Sequence, residues 1–367
     1  MKNNWSFRNF ESCIEKIPKV MQLKTSDYQS EGKYPIVSQE SDLISGYTDK
    51  EEYVNHFTKP LVVFGDHSRV IKYIDFDFAV GADGVKILIP KNDIIPKFFY
   101  YYLKWHGVMS LGYSRHYKLL KEINIPIPSQ VEQQYIVEEL DLLSSIVYKK
   151  NVQLHELDIL AQNIFYKMFG NPITNNREWM SKKIKEIGTV VTGNTPKRAI
   201  ADYYNEKYIE WIKTDNILKD SLFASQAKEY LSKTGSMYGR IVDKGALLVA
   251  CIAGSIDSIG KVCITDRKVA FNQQINAIIL NSNINVHFVY YLIKLMGVSI
   301  RGLASDGMKH ILTKSAMEEL TIPIPPLELQ ILFAEKTNAI EQQKKQIKQS
   351  IKEVEIFFNS RMDYYFN

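Results

Sequence analysis

Residues Gln130–Phe169, QVEQQYIVEELDLLSSIVYKKNVQLHELDILAQNIFYKMF, decide the fold of this chain. The stretch contains no glycine or proline, and its apolar residues recur at alternating four- and three-residue intervals. This period predicts one long α-helix with a single stripe that faces a partner. At about 1.5 Å per residue it would span roughly 58 Å, more than a compact domain needs. The stripe comprises Ile136, Leu140, Leu143, Val147, Leu154, Leu157, Ala161, Ile164 and Met168.

The same element occurs a second time, 197 positions later. Ile125-Pro-Ile-Pro128 precedes the first helix, and Ile322-Pro-Ile-Pro325 precedes the second. The heptad phase is kept, although Thr337, Lys344 and Arg361 interrupt the second stripe and predict a weaker seam. A repeat of this kind indicates two copies of one structural unit. The apolar members of the second stripe include Ile340, Ile347, Ile351, Val354 and Phe358.

The segments outside the helices predict two globular domains with the same order of elements. Leu247-Leu-Val249 matches Leu61-Val-Val63, and Tyr290-Tyr-Leu292 matches Tyr101-Tyr-Leu103. These β-type runs alternate with turn residues, and one aromatic helix follows in each domain. Because the order of elements is kept while the side chains differ, the two domains are expected to bind two related ligands.

The predicted fold class is therefore α+β. Two similar mixed α/β globular domains are separated by two long antiparallel coiled-coil helices and related by a pseudo-twofold axis. In the alternative, each helix folds onto its own domain. The predicted division is a first globular domain at residues 1–129, a first helix at 130–170, a second globular domain at 171–326 and a second helix at 327–367.

The charge of the chain is concentrated outside the helices. Of the net charge of +5, Gln130–Phe169 carries −3 and the second helical stretch carries 0, so the remainder carries +8. A basic excess on globular domains is typical of proteins that bind a polyanion, although ordinary surface lysines would give the same number.

The cysteine content and hydropathy point to a reducing compartment. The three cysteines form no Cys-x-x-Cys pair, which indicates neither a disulfide framework nor a zinc site. No apolar run reaches membrane length, and the N-terminal residues lack the apolar core of a signal peptide. A cytoplasmic protein without a membrane segment is expected.

The motifs that suggest catalysis are incomplete. Gly254-Ser-Ile-Asp-Ser-Ile-Gly-Lys261 resembles a phosphate-binding loop, but it has one residue too many and Val262 replaces the required Ser or Thr. Gly65-Asp-His-Ser-Arg69 holds an acid, an imidazole and a hydroxyl, yet residues adjacent in a turn rarely form a triad. The seven histidines show no metal-ligand spacing. The sequence predicts no active site and no bound metal.

Taken together, these features resemble the specificity subunits of type I restriction–modification systems. The resemblance covers essentially the whole chain, and the two Ile-Pro-Ile-Pro segments with their long helices are its main signal. The first half lacks a Thr-Gly-x-Thr-Pro loop, and Lys24-Thr-Ser-Asp27 replaces it. The local sequences that match are Val62-Val-Phe-Gly-Asp-His-Ser-Arg-Val70, Phe78-Ala-Val-Gly-Ala-Asp-Gly84, Thr192-Gly-Asn-Thr-Pro196, Trp211-Ile-Lys-Thr-Asp215 and Asn272-Gln-Gln274.

The resemblance implies a non-catalytic reader of double-stranded DNA. Each globular domain would be a target-recognition domain for one half of a bipartite site. The helices would set the gap and dock two modification subunits, which bring S-adenosylmethionine and methylate adenine. Restriction subunits would then cleave DNA with ATP and Mg²⁺, so this chain itself is expected to hold no cofactor. The alternative is an interaction scaffold in which a coiled coil joins two protein-binding domains.

The residues expected to line the DNA are cationic side chains for phosphates, together with amides and histidines for base edges. In the first domain they are His67, Arg69, Lys86, Arg115, His116 and Lys118. In the second domain they are Lys197, Arg198, Lys213, Ser255, Lys261, Gln273, Gln274, Lys309 and His310.

Overall fold

A computed structural model of the chain describes residues 5–17, 20–82, 84–112, 114–305 and 309–367. Asp83, within one of the motifs that carry the resemblance, lies outside these ranges. The chain forms two compact units: unit 1 comprises residues 1–151 and 349–367, and unit 2 comprises residues 152–348. The division falls inside the two long helices, so each unit contains part of both.

Unit 1 combines short strands with three short helices and parts of the two long ones. Its strands are β1 (Ser6–Asn9), β2 (Tyr34–Val37), β3 (Gly46–Thr48), β4 (Val54–Asn55), β5 (Leu61–Gly65), β6 (Ile71–Ile74), β7 (Phe78–Val80), β8 (Val85–Leu88) and β9 (Asn124–Ile127). Its helices are α1 (Phe10–Cys13), α2 (Pro96–His106) and α3 (Tyr117–Leu120), followed by the first long helix, α4 (Gln130–Phe169).

Unit 2 is built in the same way. Its strands are β10 (Ser181–Lys183), β11 (Gly188–Thr192), β12 (Ile209–Ile212), β13 (Tyr230–Leu231), β14 (Arg240–Val242), β15 (Leu247–Ala250), β16 (Ile252–Ala253), β17 (Val262–Ile264), β18 (Val269–Phe271), β19 (Ile275–Leu280), β20 (His310–Ile311) and β21 (Thr321–Pro323). Its helices are α5 (Ile184–Ile187), α6 (Lys233–Ser236), α7 (Val286–Leu295), α8 (Gly297–Arg301), α9 (Lys314–Glu319) and the second long helix, α10 (Leu327–Phe366).

The two units repeat one sheet topology. Unit 1 contains a four-stranded sheet of order β3-β2-β7-β4, and unit 2 contains the corresponding sheet β13-β12-β18-β14. In both sheets the two central strands are parallel and the outer pairs are antiparallel. The sheet β6-β5-β8 likewise corresponds to β17-β15-β19, which β11 extends in unit 2. The repeat predicted from the sequence is therefore present as a repeat of strand order.

One sequence match between the halves is displaced by one residue. Ile95 and Asn285 are the N-cap residues of α2 and α7, and Tyr101 and Tyr291 each lie six positions further on. Tyr101 Oη donates to Asp141 of α4 at 2.6 Å, and Tyr291 Oη donates to Glu341 of α10 at 3.3 Å. The match of Tyr290 with Tyr101 was wrong. The first helix contains three consecutive tyrosines, so the sequence alone allows more than one alignment, and the first residue of each helix decides which tyrosines correspond.

Local signals define both ends of α4. Ser129 and Glu132 form a reciprocal capping box: Glu132 N donates to Ser129 Oγ at 3.3 Å, and Ser129 N donates to Glu132 Oε2 at 3.1 Å. At the other end Gly170 has φ +76° and donates its N–H to Tyr166 O at 2.9 Å. A side chain is disfavoured in that left-handed conformation, so glycine ends the helix there.

In unit 1 the first turns of α4 pack against the end of α10. Glu139 accepts hydrogen bonds from Arg361 Nε at 2.5 Å and Nη2 at 3.0 Å, and it also accepts one from Tyr365 Oη. Burial opposes ionisation of Glu139, but these donors outweigh it, so the pKa of the carboxyl lies below its usual value. Apolar residues of both helices, including Leu140 and Met362, share one core with α2.

In unit 2 the end of α4 packs antiparallel to the start of α10. The Phe165 ring lies 5.5 Å from the Phe333 ring, while further back along α4 Asp158 accepts from Lys344 Nζ at 2.8 Å. Lys344 is buried and also reaches Glu341 at 2.9 Å, so the polar interruption of the second stripe is a paired charge. The twelve seam residues expected from the heptads are all buried or half-buried.

Candidate nucleic-acid interface

In unit 1 the candidate residues surround the buried carboxylate of Asp66. Its Oδ1 accepts from Tyr117 N at 2.7 Å, and its backbone N–H donates to Gly84 O at 2.7 Å. Its carbonyl oxygen accepts from His116 N at 2.8 Å. Asp66 therefore ties the turn after β5 to the segment that leads into α3. The motif Gly65-Asp-His-Ser-Arg69 stabilises a turn in this way, because its acid accepts a hydrogen bond from the backbone N–H of Tyr117.

His116 lies in the interior of unit 1. Its side chain is fully buried, with Nδ1 donating to Asp66 O at 3.0 Å and Nε2 accepting from Leu111 N at 3.0 Å. Both ring nitrogens are engaged within the domain, so the ring supports the loop from inside and does not present an edge to a ligand.

The cations around this turn are more accessible. Arg69 is exposed, has φ +64°, and donates from Nη1 to Val108 O at 3.3 Å. Lys86 Nζ lies 3.8 Å from Asp66 Oδ2 and 5.6 Å from the centre of the Tyr117 ring. His67 is half-buried in the turn, and its backbone N–H donates to Gln39 at 3.1 Å. Arg115 and Lys118 are both exposed, and the residues between them are the buried His116 and the half-buried Tyr117.

In unit 2 the loop after β11 is held tightly against the turn between β18 and β19. Thr192 Oγ1 donates to Asn276 Oδ1 at 2.8 Å, and Thr195 donates to the exposed side chain of Gln273. Gly193 N donates to Ile275 O at 3.0 Å. A Cβ at Gly193 would lie 2.1 Å from the carbonyl oxygen of Asn272, so only glycine permits this approach.

Two cations, Arg198 in the loop after β11 and Lys213 just after β12, pair with one carboxylate. The Arg198 guanidinium lies 4.6 Å from the centres of both the Tyr204 and Trp211 rings, and its Nη2 is 2.6 Å from Glu229 Oε2. Lys213 Nζ pairs with the other oxygen of Glu229 and lies 5.1 Å from the Trp211 ring. Burial opposes ionisation of Glu229, but the two cations prevail and lower its pKa. Lys197, next to Arg198, is exposed.

The remaining candidates of unit 2 lie on adjoining segments. Gln274 Oε1 accepts from Asn272 at 3.1 Å, and its carbonyl oxygen accepts from Cys251 N at 2.8 Å, which joins this turn to β16. His310 pairs across β20 with Ala253 of β16, and Lys309 beside it is exposed. Ser255, also exposed, precedes a turn in which Lys261 Nζ donates to Ser258 Oγ at 3.3 Å. The phosphate-loop-like segment connects the strands β16 and β17 and does not begin a long helix.

One feature of the interface could not be predicted from the sequence, and a second agrees with the replacement that the sequence predicts. Glu229 lies 31 residues from Arg198 and 16 from Lys213, so no local pattern indicates that it pairs with both. Lys24-Thr-Ser-Asp27 occupies the place of the second-unit loop: Leu23 N donates to Val80 O at the end of β7, as Asn194 N donates to Phe271 O at the end of β18.

The described residues contain no group of three or more His, Cys, Asp or Glu side chains that could hold a metal ion. Cys251 and Cys263 are deeply buried, and burial raises the pKa of each thiol to about 12, so neither is a thiolate nucleophile. No helix in the described part of the chain is both long enough and apolar enough to cross a membrane.

Comparison with known sequences gives one consistent result. A family model described as "Type I restriction modification DNA specificity domain" matches residues 3–156 and 176–355. The EcoR124I/EcoR124II specificity subunit of Escherichia coli is 22% identical over 326 residues, which are 84% of this chain and 79% of that protein. The HindI specificity subunit of Haemophilus influenzae is 27% identical over 169 residues, 45% of this chain and 36% of that protein.

Solved structures share the fold. The S subunit of a type I restriction–modification system from M. genitalium superposes with a TM-score of 0.60 at 18% identity, covering 99% of this chain and 96% of that chain. A structure described as the "structural basis underlying complex assembly" of "the type I R-M system" gives a TM-score of 0.54 at 14% identity, with coverages of 100% and 98%. At these identities the likeness establishes the fold alone.

Proposed function

The chain belongs to the type I restriction modification DNA specificity family, and from this membership we propose that it is the DNA-recognition subunit of a type I restriction–modification complex. Each unit carries one target-recognition domain, which reads one half of a bipartite target. The chain is not itself an enzyme: modification subunits bound to the long helices supply methyl transfer, and restriction subunits supply cleavage.

The observation that carries this proposal is the repeated sheet with unlike loops. The sheets β3-β2-β7-β4 and β13-β12-β18-β14 share strand order and direction, while the candidate DNA-binding segments of the two units carry different side chains. In unit 1, Arg69 in the turn after β5 and Lys86 on β8 lie near Asp66. In unit 2, Arg198 in the loop after β11 and Lys213 just after β12 pair with Glu229. A common scaffold with different loops suits the reading of two different short sequences.

The exposed cations provide the chemistry for DNA binding. Lysine and arginine neutralise phosphates and release counterions, which supplies much of the affinity and makes it depend on salt. Arginine also binds guanine through two hydrogen bonds, and glutamine does the same with adenine. Arg198 lies in the loop after β11, and the exposed Gln273 contacts that loop through Thr195. Their side chains are suited to these two roles.

A filter-binding titration over a range of salt concentrations tests the DNA-recognition proposal. Lys197→Ala/Arg198→Ala and Arg115→Ala/Lys118→Ala should each weaken binding and lower the salt slope by about one to two, since each phosphate contact contributes about 0.9. Lys233→Ala/Lys244→Ala, which removes two exposed lysines elsewhere in unit 2, is the matched control. If the wild-type chain binds no DNA even with the modification subunit present, the interaction scaffold becomes the better account.

The spacer role requires a separate experiment. One heptad inserted after Asn151 in α4 and another after Lys348 in α10 keeps the seam in phase and lengthens each helix by about 10 Å. At about 3.4 Å per base pair, the methylated target should gain roughly three base pairs of gap. Mapping of methylated adenines by sequencing measures the gap, and an unchanged gap would rule out the spacer.

A further inference from the structure

Unit 2 contains a cationic concavity that shares only Lys261 with the candidate DNA-binding residues. It has a volume of about 600 Å³, and its walls come from α4, the turn before β17, and the helices α7 and α8. Four cationic side chains line it, and the only carboxylate among its described lining residues is Asp257. The cations are Lys219, Lys261, Lys294 and Arg301.

Lys294 is a cation whose nearest acid is already engaged. Its Nζ lies 3.9 Å from Asp158 Oδ1, whereas Lys344 Nζ holds the same oxygen at 2.8 Å. The Lys294 side chain is only 23% exposed, and burial lowers its pKa. Asp158, Asp220 and Glu341 partly compensate the charge of Lys294, and an anion in the concavity would be a further partner for it.

An exposed apolar strip on α4 runs up to this concavity. Val152, Ile159 and Tyr166 recur every seven residues and are exposed, and Tyr166 also lines the concavity. Val152 lies two positions before the seam residue Leu154, and Ile159 lies two positions after Leu157. Two positions are about 200° around the helix, so the strip is on nearly the opposite face from the seam. On the other wall Val298 is 72% exposed. An exposed apolar strip beside charged residues is typical of a protein interaction surface.

These features do not suit a DNA duplex. A duplex is a stiff rod with phosphates on its outside, so it cannot reach cations that line the inside of a small concavity. Protein–DNA interfaces are also more polar than protein–protein interfaces and gain little from an apolar strip. Acidic side chains on a narrow segment of polypeptide can enter the concavity while its apolar side chains cover the strip.

We propose that this surface docks an acidic, amphipathic segment of a polypeptide partner, with carboxylates in the concavity and apolar side chains on Val152, Ile159 and Tyr166. Lys261 then belongs to this surface, and not to the DNA interface. The inference rests on the proposed function in one respect: that function makes the modification subunit the partner to test.

The test measures the affinity of the full chain for the purified modification subunit by biolayer interferometry. Lys219→Glu/Arg301→Glu and, separately, Ile159→Glu should each weaken binding at least about tenfold, because charge reversal repels carboxylates and a buried carboxylate disrupts the strip. Lys233→Glu/Lys244→Glu carries the same charge change at exposed positions elsewhere in unit 2 and should bind like the wild type. Thermal unfolding checks that all variants fold.

DNA binding by the chain alone separates the possible outcomes. The double variant should lose no more DNA affinity than its charge-matched control. Unchanged affinity for the modification subunit, or a loss confined to DNA binding, would overturn this inference and leave the proposed function intact. A wild-type chain that binds no modification subunit would overturn both.

Discussion

Gln133 and Gln330 make the same hydrogen bonds in the two units. Gln133 Oε1 accepts from Ile95 N at 2.8 Å, and its Nε2 donates to Pro128 O at 3.0 Å. Gln330 Oε1 accepts from Asn285 N at 2.9 Å, and its Nε2 donates to Pro325 O at 2.8 Å. Each buried amide thus ties the start of a long helix to the N-cap of the aromatic helix beside it, and each lies five residues after the last proline of Ile-Pro-Ile-Pro.

Replacement of Gln133 should destabilise unit 1. Gln133→Ala leaves the buried N–H of Ile95 and the carbonyl of Pro128 without their partner, which costs about 1–3 kcal/mol per unsatisfied group. Urea unfolding should show a lower midpoint for Gln133→Ala than for Gln134→Ala, since Gln134 is exposed and bonds only Glu138 on its own helix. Equal midpoints would mean that the amide is dispensable.

Lys344 should be essential to the seam in unit 2. Lys344→Met leaves the carboxylates of Asp158 and Glu341 without their buried partner, so we expect a loss of about 3–5 kcal/mol in unfolding free energy. Lys345→Met changes the exposed neighbour and serves as the control. Denaturant unfolding followed by circular dichroism measures the difference, and a Lys344→Met variant as stable as the control would show that the pair adds nothing.

The pairing of Glu139 with Arg361 and Tyr365 should make stability depend on acid pH. The folded-state pKa of Glu139 is lowered, so its contribution is present above the unfolded value of about 4.3 and is lost as pH falls through the folded value. At pH 7, Glu139→Gln should cost about 1–3 kcal/mol in unfolding free energy. The gap from wild type should close below pH 4, and Glu138→Gln, at an exposed site, should show neither effect.

Glu229 should weaken the non-specific attraction of unit 2 to DNA. In Glu229→Gln the charges of Arg198 and Lys213 are no longer neutralised, so they are free to pair with phosphates. We expect tighter binding to DNA of unrelated sequence and a salt slope steeper by about one to two. Filter binding measures both quantities. Glu335→Gln on the exposed side of α10 is the matched control, and identical slopes for the two variants would place Glu229 away from the DNA.

Gly193 should tolerate no side chain, in contrast to Gly254. Gly193→Ala places a Cβ against the backbone of Asn272, and we expect a loss of about 1–3 kcal/mol in stability together with weaker DNA binding as the loop shifts. A Cβ at Gly254 meets nothing within 4 Å, so Gly254→Ala should resemble the wild type in both assays. Similar behaviour of the two variants would show that the loop adapts without cost.

The long helices could be read from the sequence because their signal is local. The four–three spacing from Ile136 to Met168, the absence of glycine and proline, and Gly170 after the last turn together predict a helix that the structure has at Gln130–Phe169. The second Ile-Pro-Ile-Pro segment then indicated the repeat, since a segment that recurs with the same element after it marks a second copy of one unit.

The partners of individual polar groups were decided only by tertiary structure. His116 looked like an exposed base reader, yet its ring is enclosed by Asp66 O and Leu111 N. Lys344 looked like a weak point of the seam, yet it is paired with Asp158. Both outcomes depend on residues distant in sequence, because burial and charge pairing are set where segments meet. Periodicity along the chain therefore determined the helices and the repeat, and contacts between distant segments decided which charges remain free to meet a ligand.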